Sequence, residues 1–99
     1  MIVVLSRFTV ANAMEREVKE AFRQRPHFVD QEPGFLGMEV MSPYENPAEI
    51  WLLTRWTDEQ SYRSWHRGHQ YQDSHKGIPK GLKLVSGCTN IQLFEVFAS

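Results

Sequence analysis

The sequence predicts an α+β domain in which four antiparallel strands form one sheet and two helices cover one of its faces. Three observations predict it. Short stretches rich in β-branched and aromatic residues alternate with amphipathic stretches in the order β-α-β-β-α-β. The two central strands are separated by a short connection with two prolines and an asparagine, which is hairpin chemistry. A capping-type pattern, Asn or Thr followed three residues later by Glu or Gln, stands after the first strand and again after the third. This order is the ferredoxin-like plan, and 99 residues fill one such domain, residues 1–99, with no room for a second.

Each element has a local cause. Ile2–Val10 is β-branched, apolar and too short for a helix, so it reads as the first strand. Asn12 and Glu15 signal a helix whose buried stripe is Met14, Val18, Ala21 and Phe22. Pro26 lacks an amide hydrogen and restricts Arg25, so that helix kinks or stops there, with Phe28 and Val29 available for another turn. Pro33-Gly34 is a turn, Phe35–Met41 the second strand, Ser42–Ala48 the hairpin loop and Glu49–Trp56 the third strand. Thr57 and Gln60 mark the start of the second helix. Four glycine and proline positions, Gly77, Pro79, Gly81 and Gly87, make 76–89 a loop, and Asn90–Phe97 is the last strand.

Both parities of the strands are apolar: Val3 and Leu5 alternate with Ile2 and Val4, Trp51 and Leu53 with Ile50 and Leu52. The pattern repeats at Leu36, Met38 and Val40, and at Phe94 and Val96. Two helices cover only one face, so the other calls for a second cover, and a symmetric homodimer joined sheet on sheet into a barrel is the simplest one.

Composition narrows the function. A net charge of −1 offers no basic surface for nucleic acid or an anionic membrane. No apolar run reaches the roughly 18 residues that span a bilayer. The amino terminus shows no charged segment or cleavage site of a signal peptide, and the lone Cys88 cannot form an internal disulfide, so a cytoplasmic location is expected. There is no Gly-x-Ser-x-Gly elbow or phosphate-binding glycine loop.

The informative stretch is 57–76, TDEQSYRSWHRGHQYQDSHK, with three of the four histidines, Trp65, and a glycine midway at Gly68. Tyr62, Trp65 and His69 share one helical face, and by spacing alone the aromatic pair packs on the sheet. His75 lies ten residues beyond Trp65, about 80° away around an unbroken helix, and Gly68 can break that geometry. Spacing leaves His69 and His75 as rival ligands. His66 and His69 sit close enough to share a metal, but zinc wants three or four protein ligands, and nothing in the sequence brings Cys88 to them.

End to end, the chain resembles the antibiotic biosynthesis monooxygenase superfamily and, within it, the haem-degrading monooxygenases of the IsdG type. The resemblance is carried by Ser6-Arg7 in the first strand, AFRQR at 21–25, PGF at 33–35 and LLTRW at 52–56. Above all it is carried by Trp65 with His75, joined by Gly68-x-x-Tyr71-x-x-x-His75. It implies that His75 is the proximal ligand of haem iron, that Trp65 crowds and ruffles the porphyrin, and that Phe22 lines the pocket wall. Haem is then substrate and cofactor at once, opened oxidatively with dioxygen and an external electron donor, a reductase among the candidates, and iron is released. Ser6 stands where the family has a distal asparagine. A serine hydroxyl also donates a hydrogen bond, over a shorter reach. Arg23, Arg25, Lys76, Lys80 and Lys83 are available to haem propionates. The competing expectations are a cofactor-free monooxygenase holding a small aromatic or polyketide-like substrate between Trp65, Tyr62 and Phe22, and a non-catalytic haem carrier.

Overall fold

The structure is a computed structural model, and it describes residues 1–25, 27–68, 79, 81–87 and 90–99. Strand β1 (Ile2–Thr9) is followed by helix α1 (Glu15–Arg23), a single 3-10 turn (Val29–Gln31), strands β2 (Phe35–Met41) and β3 (Glu49–Trp56), helix α2 (Glu59–Arg67) and strand β4 (Asn90–Glu95). The four strands form one antiparallel sheet in the order β2-β3-β1-β4. This is the ferredoxin-like arrangement that the sequence predicts.

Register divides the side chains between the faces. Val4 is opposite Thr54 on β3 and Leu93 on β4, and Ile2 is opposite Trp56. These even-numbered positions of β1 face the helices and build two adjoining cores. In one, Val4, Val29, Trp56 and Tyr62 are buried, with Ile2, Phe35, Met38, Trp65 and Leu93 packed around them. In the other, Val10, Val18 and Ile50 are buried beneath Phe8, Met14, Phe22, Val40, Leu52 and Leu82. The predicted stripe of α1 thus meets one core, and the Tyr62–Trp65 face of α2 meets the other. Strand β2 departs from simple alternation at one residue. A register shift between Phe35 and Gly37 turns Leu36 outward, 52% exposed, while Met38 and Val40 stay on the core side.

Both helix starts differ from the sequence expectation. Helix α1 begins behind Met14, which makes no capping hydrogen bond. The Asn12 side chain is engaged elsewhere: its amide donates to the Gly81 carbonyl at 2.7 Å and its carbonyl accepts from the Lys83 amide at 3.3 Å. Beside it, Val10 and Leu84 form an antiparallel bridge. Asn12 therefore ties the 81–85 segment to the end of β1. At α2 the cap is Asp58, one residue past Thr57, with Oδ1 accepting from the Ser61 amide at 2.8 Å. A carboxylate is the stronger acceptor, and the Thr57 amide is held by the Gly34 carbonyl at 2.8 Å.

Gly34 is fixed by geometry. Its φ is +85°, and a Cβ there would run into Ser61 Oγ and come within 2.7 Å of Thr57 Oγ1. Gly34→Ala is expected to cost about 2–4 kcal/mol, from left-handed strain plus displacement of the start of α2. Urea unfolding followed by circular dichroism checks this; a loss under about 0.5 kcal/mol would mean that the turn relaxes freely.

Candidate functional site

The helix-facing side of the sheet is not fully covered by the described residues. Ser6 sits on β1 between Val4, which belongs to the Trp65 core, and Phe8, which belongs to the Phe22 core. Its neighbours across the sheet are Leu52 and Ile91. The register that puts Leu93 on the core side puts Ile91 there too, yet Ile91 is 48% exposed. The two helices cover opposite ends of this face. Ile91 is thus an exposed apolar side chain on the helix-facing side, directly across from the half-buried Ser6.

Trp65 belongs to the core at the Val4 end of this face. It is half-buried, its ring 5.6 Å from that of Trp56 with the planes 34° apart, and 6.3 Å from that of Tyr62. Trp56 in turn meets Phe35 and Tyr62 edge-on at 5.3 and 5.9 Å and donates from Nε1 to Thr54 Oγ1 at 3.0 Å. The sheet packing of Tyr62 and Trp65 inferred from spacing is what the structure shows. The indole is held against a rigid aromatic stack, so it can press on a ligand without yielding.

Phe22 belongs to the opposite end. It lies over Val18 and Ile50 and also lines a cleft of about 340 Å³ between α1 and the end of β2, with Lys19, Arg23, Val40, Met41 and Ser42. Neither Ser6 nor Trp65 borders that cleft. The structure therefore brings Ser6, Trp65 and Phe22 to one side of the sheet, with Trp65 and Phe22 in separate cores. His75, the rival His69, Tyr71, Lys76, Lys80 and Cys88 lie outside the described residues. Among the described residues no three His, Cys, Asp or Glu side chains come together to hold a metal.

The arginines offered to a ligand's carboxylates are engaged locally. Arg23 pairs with Glu20 at 3.2 Å on an exposed surface. Arg25, mostly buried, pairs with Asp30 at 2.9 Å, and His27 Nδ1 approaches the other oxygen of Asp30 at 3.1 Å. No sequence pattern announces this clasp, because the α1 exit and the 3-10 turn must fold together before the three residues meet. Partial burial raises the Asp30 pKa, but hydrogen bonds and charge from Arg25 and His27 outweigh it and the net shift is downward. The Ser61 amide likewise lowers the pKa of Asp58.

Both are carboxylates with depressed folded-state values, so their stabilising contribution is complete above the ordinary carboxyl pKa of about 3.9 and is lost as pH falls through the lower folded value. Thermal unfolding of the wild type is expected to weaken below about pH 4. The double variant Asp30→Asn/Asp58→Asn should lose less stability over that interval; an identical acid slope would place the acid sensitivity elsewhere.

This domain, a four-stranded antiparallel sheet with two helices on one face, belongs to the antibiotic biosynthesis monooxygenase family, whose model matches residues 1–77. Among curated proteins it is similar to the mycobilin-producing haem oxygenase of Mycobacterium tuberculosis, with 25% identity over 67 residues. That match covers 68% of this chain and 64% of the relative, so the chain spans less than two thirds of the relative's length. Among solved structures it is similar to the Mycobacterium tuberculosis haem-degrader MhuD with two haems bound in its active site (TM-score 0.80, 22% identity, 100% of this chain and 98% of that one). A single-substitution mutant of MhuD with two manganese protoporphyrins per active site gives 0.82 at 21% identity, covering 100% and 97%. The cofactor-independent oxygenase SnoaB of Streptomyces nogalater gives 0.76 at 18% identity, covering 99% and 94%. At these identities the structural likeness is one of fold. The fold is shared by haem-degrading and cofactor-independent oxygenases.

Proposed function

We propose that the protein is a haem-degrading monooxygenase that binds haem on the helix side of the sheet near Ser6, through His75, and opens the porphyrin with dioxygen and an external electron donor, releasing iron. The observation that carries the reading is an exposed Ile91 across from half-buried Ser6, on the same side of the sheet as the Trp65 stack. The similarity to a haem oxygenase supports it. A flat, largely apolar ring with polar edges is the ligand class that an exposed apolar side chain, a hydroxyl and an aromatic stack on one face suit. Haem supplies the iron centre at which dioxygen is activated.

The residues have distinct work. Trp65 presses on one side of the ring, and because Trp56 and Tyr62 back the indole, the strain falls on the ligand. The half-buried Ser6 hydroxyl would donate a hydrogen bond to the bound ligand, directly or through one water. Phe22 holds α1 down on the sheet and forms the far wall of the pocket. Arg25 reaches a propionate only at the expense of its pairing with Asp30.

Titration of the purified protein with hemin tests the reading: a sharp Soret shift with saturation at a fixed stoichiometry is expected. Ser6→Asn should speed bleaching of the haem band under reductant by several-fold, because an amide reaches further than a hydroxyl. An unchanged rate would remove Ser6 from the distal side. The second reading, cofactor-free oxygenation of a small aromatic substrate, is favoured by Ser6 itself, which replaces the amide that the haem branch uses. Absence of any Soret shift would select it.

The same proposal takes the working unit as a homodimer in the cytoplasm, joined through the free faces of the two sheets. Val3, Leu5, Trp51 and Leu53 lie on that face, with Met41 and Phe94 exposed at 41% and 42%. Among the described residues no helix is long and apolar enough to cross a membrane. A stable monomer at micromolar concentration in sedimentation would contradict the pairing.

A further inference from the structure

On the free face of the sheet we infer a carboxylate-binding niche, built on Arg7 and Trp51, that a second copy of this chain fills with its own Glu39. The inference rests on the paired-sheet reading above and specifies its chemistry.

The niche is a hollow of about 70 Å³ lined by Leu5, Arg7, Trp51, Asn90 and Gln92. Arg7 and Trp51 are direct partners in the β1–β3 register, and the guanidinium carbon stands 5.4 Å from the centre of the indole ring. The Trp51 Nε1–H is buried and has no hydrogen-bond acceptor among the described residues. Buried N–H groups without an acceptor are rare, and one beside a cavity points to a missing partner. Arg7 forms no ion pair among the described residues, and no carboxylate lines the hollow. The other cation of this face, Arg55, is already paired with Glu39 of its own chain.

The required occupant follows from that inventory. The niche is rich in donors and carries a positive charge, and it has room for about two waters or one carboxylate group. Water alone would satisfy the indole but leave Arg7 uncompensated once an apolar partner face excluded solvent, so the partner must bring negative charge. A carboxylate, an acceptor with two oxygens in a plane, matches a guanidinium and an N–H side by side.

Register indicates which carboxylate. We take the two-fold axis of the pair to run along the strands; it then turns the order β2-β3-β1-β4 over, so that β2 of one copy faces β4 of the other at an unchanged level along the strands. Glu39 is opposite Leu53, Leu53 is opposite Leu5, and Leu5 is opposite Gln92. Glu39 of the second copy therefore arrives at the level of Leu5 and Gln92, two of the five residues that line the niche. Its side chain is 59% exposed and only Oε1 is used by Arg55, so one oxygen is left to cross the interface. The symmetry makes this contact twice.

A double-mutant cycle on the dimer dissociation constant tests it, measured by sedimentation on the full chain with circular dichroism as the check on folding. Arg7→Gln and Glu39→Gln are each expected to loosen the dimer by roughly tenfold, and the double variant no more than the weaker single one. Trp51→Phe, which keeps a ring and removes the N–H, should loosen it several-fold. A dimer of Arg7→Gln as tight as wild type, or strictly additive loosening, overturns the niche while the paired sheets stand. A formate-dependent change in the fluorescence of the monomeric protein, with dimerisation indifferent to Arg7, would assign the hollow to a free small anion and also overturn it. A wild type that stays monomeric removes the paired-sheet reading itself.

Discussion

Trp56→Ala is expected to remove about 3–5 kcal/mol of stability and to lower the melting temperature by roughly 12 °C or more. The indole has no exposed surface and stands where Phe35, Tyr62 and Trp65 converge. Truncation leaves a cavity that the sheet and α2 cannot close, and it takes away the donor that Thr54 Oγ1 uses. A domain of this size has roughly 5–15 kcal/mol in all, so the variant should be near its limit at physiological temperature. Trp56→Phe should cost markedly less, since it keeps a ring in the stack. Urea denaturation at constant pH separates the two; a loss below about 1 kcal/mol for the alanine variant would mean that the core is far more plastic than its packing indicates. The same variant removes the backing of Trp65, so any ligand pressed by that indole should be bound less rigidly.

His75→Ala is expected to abolish the Soret shift given by hemin with the wild type, whereas His69→Ala retains it. The two lie six residues apart beyond Gly68, and spacing alone does not choose between them. The resemblance chooses His75. Loss of a sole neutral imidazole ligand should weaken hemin binding by at least about a hundredfold, while loss of a bystander leaves it nearly unchanged. Added imidazole should restore a histidine-like haem spectrum to His75→Ala. The reverse pattern, with His69→Ala losing the band, would move the ligand and with it the orientation proposed for the ring.

The fold was legible because each strand and helix has its own local cause. The β-branched run at 2–10, the Pro33-Gly34 turn and the proline-bearing hairpin loop need no tertiary information, and their strands lie within a residue or two of where the pattern puts them. The stripe of α1 was equally plain, since Val18 and Phe22 can be buried only on one side. The caps were misassigned for a physical reason. Asn12 and Thr57 both have suitable side chains or spacing, yet tertiary hydrogen bonds to the 81–83 segment and to Gly34 hold them elsewhere. The outward turn of Leu36 is not legible, because a bulge is invisible to strict alternation.

The site was legible in part. Trp65 and Ser6 stand out by type and position, and the structure sets both on the helix side of the sheet. The exposure of Ile91 could not be read, since exposure on a core-facing position depends on how far apart two helices lie. The Arg25–Asp30–His27 clasp and the Arg7–Trp51 niche were hidden too, because both join residues distant in sequence or separated by a change of direction.

The most direct test of the account is turnover of the hemin complex. Protein loaded with hemin is mixed with ascorbate in air with catalase present, while the Soret band and chelated ferrous iron are followed together. The account predicts that the band bleaches over minutes and that iron appears in proportion to haem lost, with an open-chain tetrapyrrole left behind. A complex that forms and then keeps both its Soret band and its iron under these conditions would contradict it.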